Sequence, residues 1–278
     1  MAWTDMTQLT NCYAWYKPES LSSAYGNGDP ITSWADSSGN SGDVSQSDSA
    51  RQPLATANAL GTYMAADFDG ANDYLDSASY TQSGDVVVTI VCSLDVLKNY
   101  NSLYGFDAQT PPSWNAGTPS TQWNTALCYN NGYLNLVQND GAYKYYSTQN
   151  FTPCYLSAST FYLLSFCTSG LSRFIRIDGA AATAGALSGT PTTPSASTAH
   201  VALGWNGLTN GFLNGKIVEF VAYDAVSKEC PEMHWVEGYL ADKYSMTLPS
   251  GHLFKNDPPA NSPTTYNPTV SPEFHPLG

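Results

Sequence analysis

Short apolar runs alternate with polar positions along most of the chain, and this period-two pattern predicts a fold made of β-strands. In the segment DVVVTIVCSLDV (85–96), the even-numbered and the odd-numbered positions are both largely apolar. The segment therefore predicts a central strand covered on both faces. FYLLSFCTS (161–169) and RFIRID (173–178) follow each other across a turn-like SGLS and predict a hairpin. The Asn-Asn-Gly sequence at 130–132 predicts a second hairpin, because Asn and Gly tolerate the positive φ of a tight turn.

Weaker alternation elsewhere predicts more short strands, separated by clusters of Gly, Asn, Ser and Pro. These segments are CYAWY (12–16), TYMAADF (62–68), TALCYN (125–130), YLNLV (133–137) and HVALGW (200–205), and GKIVEFVAYD (215–224) is a further strand-like run. Many short strands of this kind predict an all-β fold, a sandwich or a jelly roll.

One short C-terminal helix is predicted near residues 228–244. Ser227 can cap its start, and Pro231 falls early enough in the helix to be tolerated. An apolar stripe recurs on one face of the helix and predicts packing against the sandwich. Its members are Met233, Val236, Leu240 and Tyr244.

The last 23 residues differ in composition from the rest of the chain. They contain six prolines and neither lysine nor arginine, so they predict an extended Pro-rich tail at 256–278 after a single domain at 1–255. Such a tail can lie along a neighbouring subunit of an assembly. The residues that we expect to contact this partner are Pro258, Pro259, Tyr266 and Phe274.

The charge balance restricts the possible partners. Acidic residues outnumber basic ones by 23 to 10, and the formal net charge is −13. Because this charge repels phosphate backbones and anionic lipid headgroups, neither nucleic acid nor membrane is expected as a partner. The first residues lack a basic region followed by an apolar core, so no secretory signal is expected.

The six cysteines lie at long spacings without a CxxC pair, which argues against a structural zinc site. Cys92 and Cys167 lie within apolar strand-like runs, where cysteine packs as a small hydrophobic residue. We therefore expect free thiols and folding in a reducing cytoplasm. Disulfides are the alternative.

Motifs for catalysis are missing. Glu219 and Asp224 are five residues apart on one predicted strand and so on opposite faces, and no ExDxE run pairs carboxylates as glycan hydrolysis requires. The chain has no GxSxG sequence, and its four histidines are scattered. No enzymatic activity is expected.

The acidic segment FDGANDYLD has two interpretations. Its residues Asp69, Asn72 and Asp73 supply oxygen ligands of the kind that calcium prefers. EF-hand spacing is missing, however, and Asx residues beside a glycine commonly form tight turns. We favour the turn, and calcium is the cofactor that the other interpretation implies.

Aromatic residues in loop-like stretches form a second candidate site. Flat aromatic faces suit sugar rings or protein contacts, so these residues are candidates for glycan binding. The candidates are Trp114, Trp123, Trp205, Tyr143 and Tyr145. The favoured alternative is that they pack at the ends of the sandwich or in an interface.

Four segments together resemble the concanavalin A-like lectin/glucanase superfamily, in its laminin-G-like jelly-roll branch. They are WADSSGN (34–40), FDGANDYL (68–75), RFIRIDG (173–179) and the block 215–255. The last block is the most specific, because a strand, a helix with VEGYLADKY and an LPSGH end follow in that order. The resemblance implies a two-sheet antiparallel jelly-roll sandwich in which the strand at 215–224 pairs near the strand at 12–16.

Domains of this branch occur in bacterial surface proteins and in virion proteins of tailed phages, as binding or structural modules. The first function that the resemblance implies is a non-enzymatic virion structural protein, a phage head decoration or fibre subunit. It would be made in the host cytoplasm, displayed on the virion surface as a homo-oligomer, and bound to capsid or fibre subunits. The second is a carbohydrate-binding, lectin-like module for cell-surface glycans. A glycan hydrolase is the third, although the glucanase carboxylate motif is absent.

Overall fold

A computed structural model of the chain describes residues 12–77, 80–82, 86–107, 123–130, 133–139, 143–147, 156–169, 172–182, 187–188, 197–205, 211–224 and 231–255. Within these ranges the chain forms two antiparallel β-sheets and two short α-helices. The predicted all-β sandwich is therefore confirmed.

The strands and helices begin and end as follows. The strands are β1 (Cys12–Tyr16), β2 (Ser33–Trp34), β3 (Val44–Ser45), β4 (Leu54–Leu60), β5 (Tyr63–Asp69), β6 (Leu75–Ser77), β7 (Tyr80–Gln82), β8 (Val86–Leu94), β9 (Asn101–Asp107), β10 (Trp123–Asn130), β11 (Tyr133–Asn139), β12 (Tyr143–Ser147), β13 (Phe161–Ser169), β14 (Ser172–Ile177), β15 (Ala180–Ala182), β16 (Leu187–Ser188), β17 (Ser197–Leu203) and β18 (Asn214–Asp224). The helices are α1 (Pro18–Ala24) and α2 (Pro231–Tyr244), and a 3-10 turn covers Ser49–Arg51.

The strands divide between two sheets. Sheet A has eight strands in the order β15-β14-β13-β8-β18-β5-β4, and β1 pairs with β18 beside β5. Sheet B has ten strands in the order β16-β12-β11-β10-β9-β17-β6-β3-β2, and β7 pairs with β17. The antiparallel pairing of β1 with β18 is the one that the family resemblance implies. Both predicted hairpins, β10–β11 and β13–β14, are confirmed.

Sheet A is covered on both faces, by sheet B on one side and by α2 on the other. The main core between the sheets contains large side chains such as Phe68, Tyr104 and Phe166. A second apolar cluster lies between sheet A and α2 and contains the whole predicted helix stripe. All nine residues of β8 are buried, because alternate side chains enter the two clusters. This confirms β8 as the predicted central strand.

Some elements differ from the sequence-based expectation. Helix α1 was not predicted, because its seven residues carry a single large apolar side chain, Leu21, and no repeating stripe. Helix α2 begins at Pro231, and Ser227, its predicted cap, lies outside the described residues. The predicted tail lies outside them as well, with its partner-binding candidates Pro258, Pro259, Tyr266 and Phe274. No helix in the described ranges is long and apolar enough to cross a membrane.

The cysteines are not all free thiols. Cys12 and Cys92 are buried thiols, as expected from the sequence. Cys167 in β13 is disulfide-bonded, so the expectation of a free thiol is wrong at this position. Apolar surroundings accommodate a buried disulfide as well as a packed thiol. The apolar sequence around Cys167 therefore does not distinguish a thiol from a disulfide.

Candidate functional site

The backbone positions of two predicted glycan-binding residues lie on one face of sheet B, the face turned away from sheet A. We call it the outer face of sheet B. Leu136 of β11 packs in the core, so the next position, Val137, belongs to the opposite face. Tyr145 of β12 pairs with Val137, and Tyr143 pairs with Asn139, two residues further along. Backbone positions 143 and 145 therefore lie on the outer face.

The backbone position of Trp123 lies on the same face because of a shift in the register of β10. Trp123 pairs with Asp107 of β9 beyond a register shift between Trp123 and Thr125, and Asp107 pairs in turn with His200 of β17. The next residue, Val201, packs in the core, so the row that contains His200 lies on the outer face. The structure describes the backbone at Trp123, Tyr143 and Tyr145, while Trp114 lies outside the described residues.

Trp205 also lies beside the outer face of sheet B, and its ring is buried in an aromatic cluster. Its neighbours include Ala202, which the register of β17 places on the outer face. The Trp205 ring stacks on Phe212 with 5.5 Å between ring centroids, and the Tyr74 ring lies 5.0 Å away. With only 8% of its surface exposed, Trp205 supports this face by packing.

The candidate calcium residues form a closed turn after β5. Asp69 Oδ1 accepts hydrogen bonds from the backbone amides of Ala71 at 2.7 Å and Asn72 at 3.3 Å. Asp73 Oδ2 accepts from the Asp69 amide at 3.0 Å, and the Asn72 side chain donates to the Ala50 carbonyl at 2.9 Å. One carboxylate oxygen of Asp69 and one of Asp73 thus already bind amides of the turn. Calcium binding here stays a prediction.

Asp73 carries a perturbed charge within this turn. Burial raises its pKa, the hydrogen bond from the Asp69 amide lowers it, and the nearby carboxylates of Asp69 and Asp67 raise it again. The result is a pKa of about 6. Near neutral pH this site therefore holds a carboxylate that is poorly solvated and close to like charges.

A β-bulge directs one glutamate of β18 towards α2. The register of β18 against β8 shifts between Ile217 and Glu219, so Val218 and Glu219 both lie on the helix side of sheet A. Regular alternation would have turned Glu219 into the core between the sheets. The bulge is therefore the local reason why a charged residue is tolerated in this strand.

Three donors surround the buried Glu219 carboxylate. Trp15 Nε1 donates to Oε1 at 2.6 Å, and Lys243 Nζ donates to Oε2 at 2.6 Å. The Tyr244 hydroxyl also donates to Oε2. Burial, followed by the Glu219 charge, raises the pKa of Tyr244 far above its usual range, so this hydroxyl stays protonated. Lys243 also pairs with Glu19 of α1 at 3.0 Å, which links both helices to sheet A.

Glu237 of α2 is the second buried glutamate. Arg176 Nε donates to its Oε1 at 2.9 Å and to its Oε2 at 3.0 Å, and His252 Nε2 lies 2.9 Å from Oε2. Burial raises the pKa of Glu237, but the His252 hydrogen bond and the Arg176 charge outweigh burial and hold the pKa below its usual value. Arg176 also donates to the Gly179 carbonyl. The network joins β14, α2 and the LPSGH segment.

The turn between β14 and β15 brings the end of the RFIRIDG segment into contact with the LPSGH segment. Asp178 and Gly179 have φ values of +49° and +74°, as in a two-residue hairpin turn. A Cβ at Gly179 would lie 2.7 Å from Leu248 Cδ2 and 2.9 Å from His252 Cδ2. Glycine is therefore needed both for the backbone conformation and for the close approach of LPSGH.

Three possible metal ligands meet in this network, since atoms of His234, Glu237 and His252 lie within 4.8 Å of one another. His252 Nδ1 accepts a hydrogen bond from the Phe254 amide at 3.2 Å, so a neutral His252 ring carries its hydrogen on Nε2, facing Glu237. Arg176 adds a positive charge 3.5 Å from His234 Nδ1. We therefore assign these side chains to an internal hydrogen-bond network and not to a metal site.

Comparison with known proteins identifies similar folds. No protein-family model and no curated protein matches this chain. Domain 4 of AbnA, a GH43 extracellular arabinanase from Geobacillus stearothermophilus, in complex with arabinotriose, is 17% identical with a TM-score of 0.55, over 79% of this chain and 96% of that chain. The binding domain of Paraclostridial Mosquitocidal Protein 1 is 12% identical with a TM-score of 0.53, over 83% of this chain and 52% of that chain. At these identities, the similarity shows that this chain shares the β-sandwich fold of these domains.

Proposed function

We propose that this chain is a non-enzymatic carbohydrate-binding domain that binds glycans on the outer face of sheet B. The observation that carries the proposal is the register of sheet B, which brings the positions of Trp123, Tyr143 and Tyr145 to one face. The buried cluster around Trp205 lies beside the same face and gives it a rigid support. Aromatic residues at such positions supply flat surfaces for stacking on sugar rings.

The shared fold supports the proposal. The arabinanase domain was solved in complex with arabinotriose, and the second similar protein is described as a binding domain. Because one fold can serve many functions, the shared fold is compatible with sugar binding, and the aromatic face is the specific support for it.

The buried acids support a non-enzymatic role. Glycan hydrolysis needs two carboxylates that flank a bound sugar, one of them as a proton donor. Glu219 and Glu237 are fully buried on the helix side of sheet A, and each is paired with a cation, Lys243 or Arg176. Neither glutamate lies on the face that we assign to the glycan.

The charge of the chain favours neutral glycans. With a net charge of −13, the protein repels uronic and sialic acid polymers. Charged residues make up only 12% of the chain, so the surface is rich in neutral polar groups that hydrogen-bond sugar hydroxyls. We therefore infer neutral pentose or hexose polymers as the ligand class.

A glycan array followed by calorimetry on the best ligand tests this function. We expect wild-type protein to bind neutral oligosaccharides, and Trp123→Ala and Tyr145→Ala each to weaken binding by about tenfold, equivalent to about 1.4 kcal/mol. Tyr100→Ala is the control, because Tyr100 is a 45% exposed aromatic residue in the connection between β8 and β9. Unchanged affinity in both test variants would show that the face is wrong, and an array without binding would reject the function.

Display of this domain on a virion, with capsid or fibre subunits as partners, stays a prediction from the sequence. Its anchoring candidates, Pro258, Pro259, Tyr266 and Phe274, lie outside the described residues. Glycan binding and virion display are compatible, since a surface subunit can carry a sugar-binding face. Deletion of 256–278 should abolish incorporation into particles, and unchanged incorporation would contradict anchoring by the tail.

A further inference from the structure

We propose that His200 is a ligand-binding residue of the outer face of sheet B, where its Nε2 atom accepts a hydrogen bond from a hydroxyl group of a neutral sugar. The inference rests on the proposed function and deepens it by naming a polar contact of the same face. Stacking on aromatic rings does not by itself fix the orientation of a ligand, and a binding face needs a few polar groups for that purpose.

His200 lies on the outer face of sheet B because of the alternation of β17. Val201 and Leu203 pack in the core, so His200 and Ala202 face the other way. Ala202 pairs with Asp76 of β6, which therefore belongs to the same face. The side chains of His200, Ala202 and Asp76 thus share the face that we assign to the glycan.

The backbone of β6 fixes the tautomer of the His200 ring. His200 Nδ1 lies 2.8 Å from the carbonyl oxygen of Ser77. A carbonyl oxygen can only accept a hydrogen bond, so Nδ1 carries the hydrogen and donates it. In the neutral ring, Nε2 then has a lone pair and no hydrogen, and it is an acceptor.

Nε2 is the unused polar atom of this side chain. Within the part of the chain that the structure describes, no donor reaches Nε2, because the contacts with Ser77 and Asp76 both involve Nδ1. Nε2 is not one of the described polar atoms that are both fully buried and unpartnered, so solvent reaches it. The ring is nevertheless held firmly, since only 8% of the residue surface is exposed. A fixed ring with one accessible acceptor is preorganised for a ligand that donates a hydrogen bond.

Sheet B offers space for a ligand beside His200. Ala202 pairs with Gly105 of β9, so two neighbouring positions of this face carry a methyl group or no side chain. Trp205 packs against Ala202 and borders this space. Position 123 lies in the same cross-strand row as His200, two strands away and therefore about 10 Å distant. A short oligosaccharide on this face can thus contact both positions.

The charge beside His200 favours a neutral ligand. Asp76 Oδ2 lies 3.9 Å from His200 Nδ1, and the Asp76 side chain is 16% exposed. A carboxylate or sulfate group on a sugar would be repelled by this charge. An ionised carboxylate also has no hydrogen to donate to Nε2, whereas a sugar hydroxyl does. The ligand class at this point is therefore a neutral sugar with a free hydroxyl group.

NMR of the full chain with nitrogen-15-labelled histidine tests the ring geometry. Four histidines contribute imidazole signals, and those that disappear in His200→Asn belong to His200. At pH 8 we expect the hydrogen on Nδ1 in the free protein. The probes are xylotetraose, arabinotetraose, cellotetraose and mannotetraose, and a bound probe should shift the Nε2 resonance while Nδ1 keeps its hydrogen. A hydrogen on Nε2 in the free protein, or an Nε2 resonance unchanged by a saturating probe, would overturn the proposal.

Calorimetry with the same four probes measures the contribution of Nε2 to affinity. His200→Asn keeps an N–H group for the Ser77 carbonyl and removes the acceptor, so it should weaken binding by about tenfold. His234→Gln is the matched control, because His234 lies beside Glu237 on the helix side of sheet A, and it should change affinity by less than about twofold.

The outcomes separate this inference from the proposed function. Binding that Tyr145→Ala weakens and His200→Asn leaves unchanged would overturn the role of His200 and leave the glycan-binding face in place. Absence of binding to all four probes would overturn both. Where His200→Asn does not fold, the response of Nε2 in the wild-type protein decides the question.

Discussion

Nζ of Lys243 lies 2.6 Å from Oε2 of Glu219, and this pair joins α2 to the central strands of sheet A. Glu219 is fully buried, and the Lys243 side chain is 10% exposed. When one member of a buried ion pair is removed, the other charge stays in a poorly solvating interior. The penalty for breaking such a pair therefore exceeds the net contribution of the intact pair.

From this relationship we predict that Lys243→Met lowers the free energy of unfolding by about 3 kcal/mol, because Glu219 then lacks its cation. Urea denaturation at pH 7.5 measures the change. Lys255→Met is the control, since Lys255 is exposed, and it should change stability by less than about 0.5 kcal/mol. In the double variant with Glu219→Gln, most of the loss should be recovered. A loss below about 1 kcal/mol in the single variant would contradict this account of the pair.

The sequence pattern was sufficient to predict the elements whose signal is local. Apolar residues at even and odd positions identified β8 as a strand covered on both faces, because each face packs against an apolar cluster. The stripe from Met233 to Tyr244 identified the packed face of α2 for a similar reason. The hairpin at 130–132 followed from turn chemistry, which acts within a few residues.

Other features depend on contacts between distant parts of the chain, and the sequence did not predict them. The bulge at Val218 cannot be recognised from the alternation of apolar and polar residues in the sequence. It nevertheless determines that Glu219 faces α2 and not the core between the sheets. The Arg176–Glu237 pair joins residues 61 positions apart. The grouping of Trp123, Tyr143 and Tyr145 follows from strand register, which single-strand patterns do not specify.

Trp205 gives a second prediction, which separates packing from sugar binding. Because its ring is buried against Tyr74 and Phe212, Trp205→Ala should lower the free energy of unfolding by about 3 kcal/mol or more. Thermal or urea denaturation measures this loss. Tyr100→Ala, at an exposed aromatic position, should stay within about 0.5 kcal/mol of the wild type. If Trp205→Ala is as stable as the wild type, the ring is not a packing residue.

A third prediction concerns the acid stability of the α2 layer. Burial lowers the pKa of His234, as do the charges of Arg176 and His252, whereas Glu237 raises it, and the result is about 4. An unfolded histidine has a pKa of about 6.5, so between pH 6.5 and 4 the unfolded chain binds a proton that the native protein does not. The contribution of His234 to stability should therefore fall as the pH decreases through this range, by up to about 3 kcal/mol.

His234→Gln should remove most of this slope. Urea midpoints at pH 7.5, 5.5 and 4.5 measure it in both proteins, and a parallel slope in the variant would rule out His234 as its source. Glu237, whose pKa is depressed, contributes stability that is lost only as the pH falls below about 4.3, so its contribution is retained at all three points of the series.

Asp73 gives a fourth prediction with the opposite sign. Because its folded pKa of about 6 lies above its unfolded value, the native protein binds the extra proton between about pH 4 and 6. This group therefore lowers stability as the pH rises through that range. Asp73→Asn removes the charge and keeps an oxygen for the Asp69 amide, so it should raise stability at pH 7.5 by about 1 kcal/mol and have little effect at pH 4. Asp242→Asn, at an exposed position, is the control. A loss of stability at pH 7.5 would show that the Asp73 charge is needed in the turn.

The disulfide of Cys167 gives the last prediction. Treatment with a phosphine reductant should lower the free energy of unfolding by about 2–4 kcal/mol, as measured by urea denaturation of treated and untreated protein. Cys167→Ala should show a similar loss without reductant and no further loss with it. A variant that still responds to the reductant would mean that a different disulfide stabilises the fold, because no bond to position 167 is left to break.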